Sequence, residues 1–383
     1  MFVTVYKEEI IDGLQKAANI IPQRTGAAYL RSIWLRAASS RLEILSTDSN
    51  IEFRGSYAAV VQQEGLAGVP GRHFVELLKR LPPGEITLRV DETASVMHID
   101  QGRRKYKLAV NDATWFQQFA EFPDVGAVLW SADFLQELIE RIAYCIGDEG
   151  TDALSCFFLK PAPEGRIEAS GMNGHQFAMY SFTNDALRAL LPEDGILIQK
   201  KYLNELKKWL GGGEIYLNTG EKRLFLRDEA GREFFSMPLS SYQYPDYTVF
   251  ISRLTESGIS RLSLPREETQ NALQRIAIFN TESNMCTYFD LSAQEVVMTA
   301  QGQDFGSASE TLDATYEGGI GKIAFPTGNL LTILDHYASK VLNLSMTGSE
   351  GPCGINGADD KDYLVILMPM KIVDDTGYSE EQA

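Results

Sequence analysis

The sequence predicts an α+β protein made of three successive copies of one plan, each with two helices packed on antiparallel sheets. The prediction rests on an order of elements recurring about every 125 residues, on amphipathic helices placed directly after strands, and on short alternating strands separated by turns. At 383 residues the chain is too long for one core, because cores stop growing near about 250–300 residues. The plan sets boundaries at residues 1–125, 126–255 and 256–372, followed by an acidic tail over 373–383 that lacks apolar periodicity and is expected to be disordered.

Each copy opens on a strand and a first helix. Phe2 to Tyr6 alternates, and Lys7 to about Ala18 follows with Ile10, Ile11 and Leu14 at helical spacing. In the second copy Val128 to Trp130 runs into Ser131-Ala132-Asp133-Phe134, where the Ser131 hydroxyl can cap an otherwise orphan N–H. In the third, Arg261 to Leu264 leads into Pro265-Arg266-Glu267-Glu268, with proline in the first turn and early acids suited to the positive end of a helix.

Alternating strands come next, at Arg41 to Ser46, Arg166 to Ser170 and Glu295 to Thr299. A second helix follows in every copy, over Pro70 to Leu81, Gln199 to Leu210 and Pro326 to Ala338. Each leads to a further strand, at Glu85 to Val90, Glu214 to Asn218 and Val341 to Met346. Two copies close alike, on Glu121-Phe122-Pro123-Asp124 and Gln243-Tyr244-Pro245-Asp246.

Composition narrows the function. No apolar run approaches the roughly 20 residues that cross a bilayer, and the N-terminus enters a strand without a basic and apolar leader, so no membrane association and a cytoplasmic location are expected. Cys145, Cys156, Cys286 and Cys353 lie far apart without C-x-x-C spacing, as reduced core thiols do, and no metal or cofactor is expected. Gly211-Gly212-Gly213 follows a helix and Gly318-Gly319-Ile320-Gly321-Lys322 lacks the spacing and hydroxyl of a phosphate loop, so both read as turns. The four histidines, His73, His98, His175 and His336, fall in four different segments, and acidic pairs such as Glu267-Glu268 and Asp374-Asp375 suit a solvated surface. No catalytic residue is nominated, and the chain is not expected to be an enzyme.

The net charge of −17 argues against bulk adhesion to nucleic acid, yet the second helices are locally basic. Lys200, Lys201, Lys207 and Lys208 oppose one glutamate, and Arg72, Lys79 and Arg80 oppose another. Such stripes suit contact with phosphates, and they equally suit a solvated helix face. The first helices do not share the bias: Ser131 to Ala143 holds three acids and one arginine, which makes any DNA-facing surface patchy.

With these residues in place, the chain resembles the bacterial DNA polymerase III beta subunits, the replicative sliding clamps, over about residues 1–372. The resemblance is carried by the three-copy plan, by Leu42-Glu43-Ile44-Leu45-Ser46-Thr47-Asp48, by Gly174-His175-Gln176-Phe177-Ala178, by Tyr244-Pro245-Asp246-Tyr247, and by Tyr363 through Met368-Pro369-Met370-Lys371-Ile372. It implies a head-to-tail homodimeric ring that encircles double-stranded DNA, tethers the polymerase III catalytic subunit, and receives the clamp loader, other polymerases and repair proteins through short peptide motifs.

The resemblance also implies residue roles. The peptide groove maps onto Leu154, Gly174, His175, Gln176, Phe177, Pro245, Val249, Phe250, Met368, Pro369 and Met370, and the subunit contact onto Tyr106, Leu108, Ile278 and Phe279. Arg24 matches a DNA-contacting position. The chain departs from the pattern in three places. Thr248-Val249-Phe250 stands where an arginine is usual after Pro-Asp-Tyr, Pro326 and Asn329 replace an asparagine and a tyrosine, and the loop Gly147-Asp148-Glu149-Gly150 is acidic. A more apolar groove with its own peptide preference is expected. Two rivals remain at this point: an adaptor that keeps the fold without encircling DNA, and a hydrolase on repeated α+β domains, for which no convergent acid, base or nucleophile set is found.

Overall fold

The computed structural model describes residues 1–22, 27–91, 95–148, 150, 152–281, 285–302 and 306–372. Eight α-helices occur among the described residues: α1 Lys7–Ile20, α2 Gly71–Arg80, α3 Ala132–Ala143, α4 Asp185–Leu190, α5 Lys200–Trp209, α6 Thr248–Arg253, α7 Arg266–Ile276 and α8 Thr327–Asp335. Six of them, α1, α2, α3, α5, α7 and α8, begin on the residue after a strand ends. This strand-to-helix step is the recurring unit that the sequence periodicity predicts.

By compactness the chain divides into two units, Met1–Ile139 with Asn184–Ser241, and Glu140–Thr183 with Tyr242–Ala383. In the first unit a five-stranded sheet runs in the order Val60–Gln63, Phe2–Tyr6, Glu85–Asp91, Val96–Gln101, Arg104–Ala109. Its eight-stranded sheet runs Val128–Ser131, Glu214–Thr219, Arg223–Asp228, Glu233–Pro238, Glu52–Ala58, Arg41–Thr47, Ser32–Ala38, Gly65–Pro70. Neighbours pair antiparallel, and the sheet is closed in its middle by Phe53 opposite Phe235, residues far apart in sequence.

In the second unit the corresponding run is Cys156–Pro161, Arg166–Met172, Gln176–Thr183, Tyr363–Leu367, Cys353–Gly357, Val341–Met346, Ser260–Pro265, Thr315–Glu317. Here the middle is closed by Ala178 opposite Val365. A four-stranded sheet of Gly306–Asp313, Glu295–Gly302, Cys286–Leu291 and Lys322–Pro326 completes it.

The helices bury the faces their spacing marks. On α1, Ile10, Leu14 and Ala17 have no exposed surface, and Gly13 is buried among them. A Cβ at Gly13 would lie 1.8 Å from the Tyr57 hydroxyl, so a mid-helix glycine is kept here because the helix rides directly on that side chain. The same hydroxyl donates to Glu233 Oε1 at 2.9 Å, and Lys16 Nζ on α1 meets Glu233 Oε2 at 2.6 Å. A buried carboxylate is thereby paired on both oxygens.

Several boundaries differ from expectation. The first helix runs on to Ile20, since Ala17 and Ile20 continue the buried face, and the last helix stops at Asp335. Pro265 is the final strand residue before α7 and does not sit in its first turn. Ser131 does cap α3, accepting from Phe134 N at 3.2 Å. The two six-residue helices α4 and α6 have no counterpart in the sequence plan, because a single turn and a half carries too little periodicity to read. All four cysteines are buried free thiols.

Substituting Gly13→Ala is expected to lower stability by about 1–3 kcal/mol, because the added methyl must displace Tyr57 from Glu233. Chemical denaturation of Gly13→Ala in the wild-type and Tyr57→Leu backgrounds checks this. A smaller loss in the second background identifies the Tyr57 side chain as the obstacle, and an unchanged midpoint in the first refutes it.

Candidate nucleic-acid and peptide surfaces

The basic side chains sit on helices whose other faces are fixed. In α2, Phe74, Val75 and Leu78 are buried while Arg72, Lys79 and Arg80 are exposed. In α5, Tyr202, Leu203, Leu206 and Trp209 are buried; Lys201 and Lys208 are exposed, and Lys200 and Lys207 are half-buried. Helix α1 packs beside both, so the structure brings the two basic stripes into one row of three helices within the first unit. The middle helix interrupts the positive field, with Glu8, Glu9 and Asp12 exposed on it.

Part of the charge is spent locally. Lys208 meets Glu205 at 2.8 Å and Lys79 meets Glu76 at 3.5 Å, both at helical spacing, and Lys201 Nζ lies 4.8 Å from the Tyr202 ring centre. Exposed pairs of this kind contribute little to stability. Arg24 and Glu149 lie outside the described residues. In the second unit Gly147 N donates to Leu154 O at 2.8 Å, which fixes the start of the acidic loop beside the first nominated groove residue.

The groove residues nominated from sequence all fall in the second unit, where backbone contacts join His175–Phe177 to the segment that leads into Met368. Asn173 Oδ1 accepts from His175 N at 3.0 Å and from Gln176 N at 2.8 Å, forming a side-chain turn. Gly174 sits inside it at φ +87°, a conformation that a side chain would strain. The turn delivers His175 O to Met368 N at 2.9 Å, one step beyond the last paired residues, Gln176 and Leu367. At that point the two strands part, and Met370 N bonds instead to Ala324 O at 2.8 Å.

An aromatic ledge stands beside this opening. Phe177 meets Tyr247 at 4.8 Å between ring centres, and Phe158 stacks on Tyr244 at 4.5 Å. Tyr247 donates to Glu168 Oε2 at 2.5 Å, with Lys160 Nζ at 4.6 Å from its ring centre and 3.5 Å from the same carboxylate. Burial, then the Glu168 bond, pushes the Tyr247 phenol well above its ordinary range. Asp246 accepts from both Thr248 N and Thr248 Oγ1, at 2.9 and 2.6 Å, which starts α6 and holds the Asp246 carboxyl below its usual value.

The consequence is an exposed apolar surface. Val249 is 49% exposed, Phe250 43% and Met370 45%, while Pro245 is exposed and Leu154, Met368 and Pro369 are half-buried. Of the positions where the chain departs from the resembled pattern, Pro326 ends a strand and Asn329 is half-buried on α8.

Sequence reasoning missed the support behind the Met368–Met370 segment. Asp360 accepts from Ala338 N, Ser339 N and Ser339 Oγ at 3.0, 2.8 and 2.6 Å on one oxygen, and from Arg141 at 3.1 Å on the other. Arg141 lies over the Tyr180 and Tyr363 rings, and Tyr363 donates to Arg141 O at 2.8 Å. Tyr363 opens the strand that ends at Leu367, so this cluster anchors the far end of the element carrying the Met-Pro-Met segment. Burial pushes the Asp360 carboxyl up, but the bonds from Ser339, Ala338 and Arg141 outweigh it and leave the group below its ordinary value. The Ala-Asp-Asp run, 358–360, gave no sequence signal separating this acid from solvated ones.

The nominated subunit-contact residues occupy sheet edges and turns. Tyr106 and Leu108 are half-buried on Arg104–Ala109, the outermost strand of its sheet, between exposed Arg104, Lys105 and Lys107. Ile278 is 73% exposed and Phe279 half-buried in the turn after α7. Gly306–Asp313 is likewise an outermost strand, and Arg275 holds its Glu310 through two bonds at 2.7 and 2.5 Å. Among the described residues no group of three His, Cys, Asp or Glu could hold a metal ion, and no helix is long and apolar enough to cross a membrane.

Comparison with known proteins gives a consistent result. Residues 1–120 match the family model described as the DNA polymerase III beta subunit, N-terminal domain, and residues 258–371 match that of its C-terminal domain. The chain is 23% identical over 375 residues to the beta sliding clamp of Chlamydia muridarum, covering 98% of this chain and all of that protein. It is 25% identical over 384 residues to that of Chlamydia pneumoniae, with coverage of 98% and 100%. Its fold superposes on the crystal structure of the DNA polymerase III subunit beta from Pseudomonas aeruginosa with a TM-score of 0.87 at 23% identity, covering 97% of this chain and all of the other.

Because the Asp360 carboxyl is held low in the folded protein, its stabilisation is complete above the ordinary carboxylate pKa of about 4 and is lost as pH falls through the lower folded value. Asp360→Asn is expected to reduce stability at neutral pH by about 2–4 kcal/mol and to flatten the acid limb of the stability curve. Denaturant melts across the acid range measure both, and an unchanged acid limb would remove Asp360 from the account.

Proposed function

The chain belongs to the DNA polymerase III beta-subunit family, and we propose that it is a sliding clamp: a homodimeric ring that encircles duplex DNA without sequence preference and keeps a polymerase at the primer end. The observation that carries the reading is the strand-to-helix step repeated six times along one chain, together with family matches at both ends. Grouped as 1–125, 126–255 and 256–372, these steps supply two helices to each of three repeats. Two subunits then supply six repeats, enough for a closed ring if the subunits join head to tail.

The seam is proposed to form between unlike edges of two copies. Arg104–Ala109, with Tyr106 and Leu108, presents three cations, and Gly306–Asp313 presents Glu310 and Asp313 beside Ile278 and Phe279. Pairing these strands would satisfy two open edges at once. Arg72, Lys79, Arg80, Lys200, Lys201, Lys207 and Lys208 would touch the DNA backbone, and weakly, because a ring that slides must not adhere. Retention is topological, and tethering acts by raising the local concentration of the enzyme.

The surface around Gly174–Phe177, Val249, Phe250 and Met368–Met370 is the proposed peptide site for the polymerase catalytic subunit, the clamp loader and repair proteins. Methionine and phenylalanine give adaptable contact, which suits many related motifs. Thr248 in place of an arginine favours apolar over acidic anchors. The chain itself performs no catalysis in this reading, and works in the cytoplasm.

A loaded clamp should sediment as a dimer of two 42.6 kDa chains and stay on nicked circular DNA while leaving linear fragments. Equal loss from circles and linear fragments would exclude encirclement and favour the adaptor. For the peptide site, Phe250→Asp should weaken binding of a polymerase C-terminal peptide by about tenfold or more with the dimer intact. Unchanged affinity by fluorescence anisotropy would take α6 out of the site.

A further inference from the structure

Next to the basic stripe of α2, and sharing Arg72 with it, the first unit holds a cleft of about 280 Å³. Its walls include Arg31, Arg72 and His73, with Ser32, Gly71 and Asn111, and among the described residues no carboxylate lines it. In a chain of net charge −17 such a lining is unusual. We propose that this cleft binds a phosphate group.

Its walls are held in place. Asn111 N donates to Gly68 O at 2.8 Å, and the Asn111 carboxamide bonds to the Ser32 hydroxyl, which fixes the floor. Arg72 is steadied by one bond, from Nη2 to Ile21 O at 3.2 Å, which leaves its remaining N–H groups for a ligand. Arg31 is exposed and forms no ion pair among the described residues. Gly71 begins α2, whose first turn has no acid and no side-chain cap, so its N–H groups add partial positive charge to that of the arginines.

The donor count selects the ligand. Two guanidinium forks, an imidazole and backbone N–H groups exceed what the two oxygens of a carboxylate can accept, and they match the oxygens of a phosphate ester. The volume admits a phosphate with its sugar, and not a base pair. A free nucleotide and the DNA backbone present the same group. The ligand class stands apart from the clamp reading, and only DNA as its source rests on that reading.

The test titrates the full-length protein with thymidine 5′-monophosphate, followed by ³¹P NMR, with thymidine as control. Saturable binding of the monophosphate alone is expected, and Arg31→Ala and Arg31→Ala/Arg72→Ala should weaken it by about tenfold or more. Arg188→Ala/Lys222→Ala, which removes two exposed cations elsewhere in the first unit, should leave it unchanged. Displacement by a short duplex identifies the DNA backbone as the source, and persistence of the monophosphate signal identifies free nucleotide; either supports the cleft. Absence of saturable binding by the wild type, or equal binding by Arg31→Ala/Arg72→Ala, overturns the proposal. Loss of dimer stability in that variant without wild-type phosphate binding also overturns it, and assigns the cleft to a carboxylate of a second copy. Retention on circular DNA, measured separately, reports on the clamp reading alone.

Discussion

The structure depends on strands that pair across long stretches of sequence. Glu52–Ala58 lies beside Glu233–Pro238, and Gln176–Thr183 beside Tyr363–Leu367, so in each unit one sheet is completed by a segment roughly 180 residues away in the chain. These two long sheets cannot be completed within one repeat, whereas the five-stranded and four-stranded sheets each can. The helices then have a continuous surface to cover, and their buried faces are set by it. Charged groups are buried close to both closures, and each is fully paired: Glu233 by Tyr57 and Lys16 in one unit, Asp360 by Ser339, Ala338 and Arg141 in the other. Burial, followed by the Glu233 charge, holds the Tyr57 phenol far above its ordinary range, so this contact stays a neutral donor to a carboxylate.

The two closures end differently, and the difference bears on function. In the first unit the linker packs down over the sheet. Phe122 lies edge-on to Phe234, Arg227 covers Phe122 at 4.3 Å and pairs with Asp124 at 2.5 Å, and Phe119 joins a cluster with Trp34 and Leu45. In the second unit the corresponding Tyr244 and Tyr247 also pack inward, but the chain then turns into α6 and leaves Val249 and Phe250 exposed. The same aromatic-Pro-Asp ending thus closes one junction and leaves an apolar opening at the other. Exposed apolar side chains clustered around a fixed turn are the physical signature of a docking surface.

Much of this was legible in the sequence, for identifiable reasons. Helices with strong amphipathic faces, such as Lys200–Trp209, and strands bounded by turn residues carry their own periodicity, and their order revealed the repeat. The groove residues could be nominated because Gly174-His175 and Met368-Pro369-Met370 interrupt regular elements in a recognisable way. What escaped was of two kinds. Short helices such as α6 hold too few residues for a period, although Asp246 followed by Thr248 is a start signal in retrospect. Partners of buried charges were hidden because Arg141 and Asp360, or Tyr57 and Glu233, meet only after the long-range pairing has formed, and nothing local marks them out among 52 acids.

That long-range pairing also reconciles an acidic protein with DNA. Lys16 lies on the helix between the two basic stripes, yet it is drawn away to Glu233 and serves the core. The remaining cations on α2 and α5 are exposed or half-buried, partly neutralised by Glu76 and Glu205, and separated by the acids of α1. A surface of this kind attracts phosphate at short range without a deep well at any register. For an adhesive DNA-binding protein that would be a weakness, since affinity there follows the number of phosphates neutralised. For a ring it is an advantage: closure prevents escape, and a shallow, interrupted potential lets the ring move along the duplex.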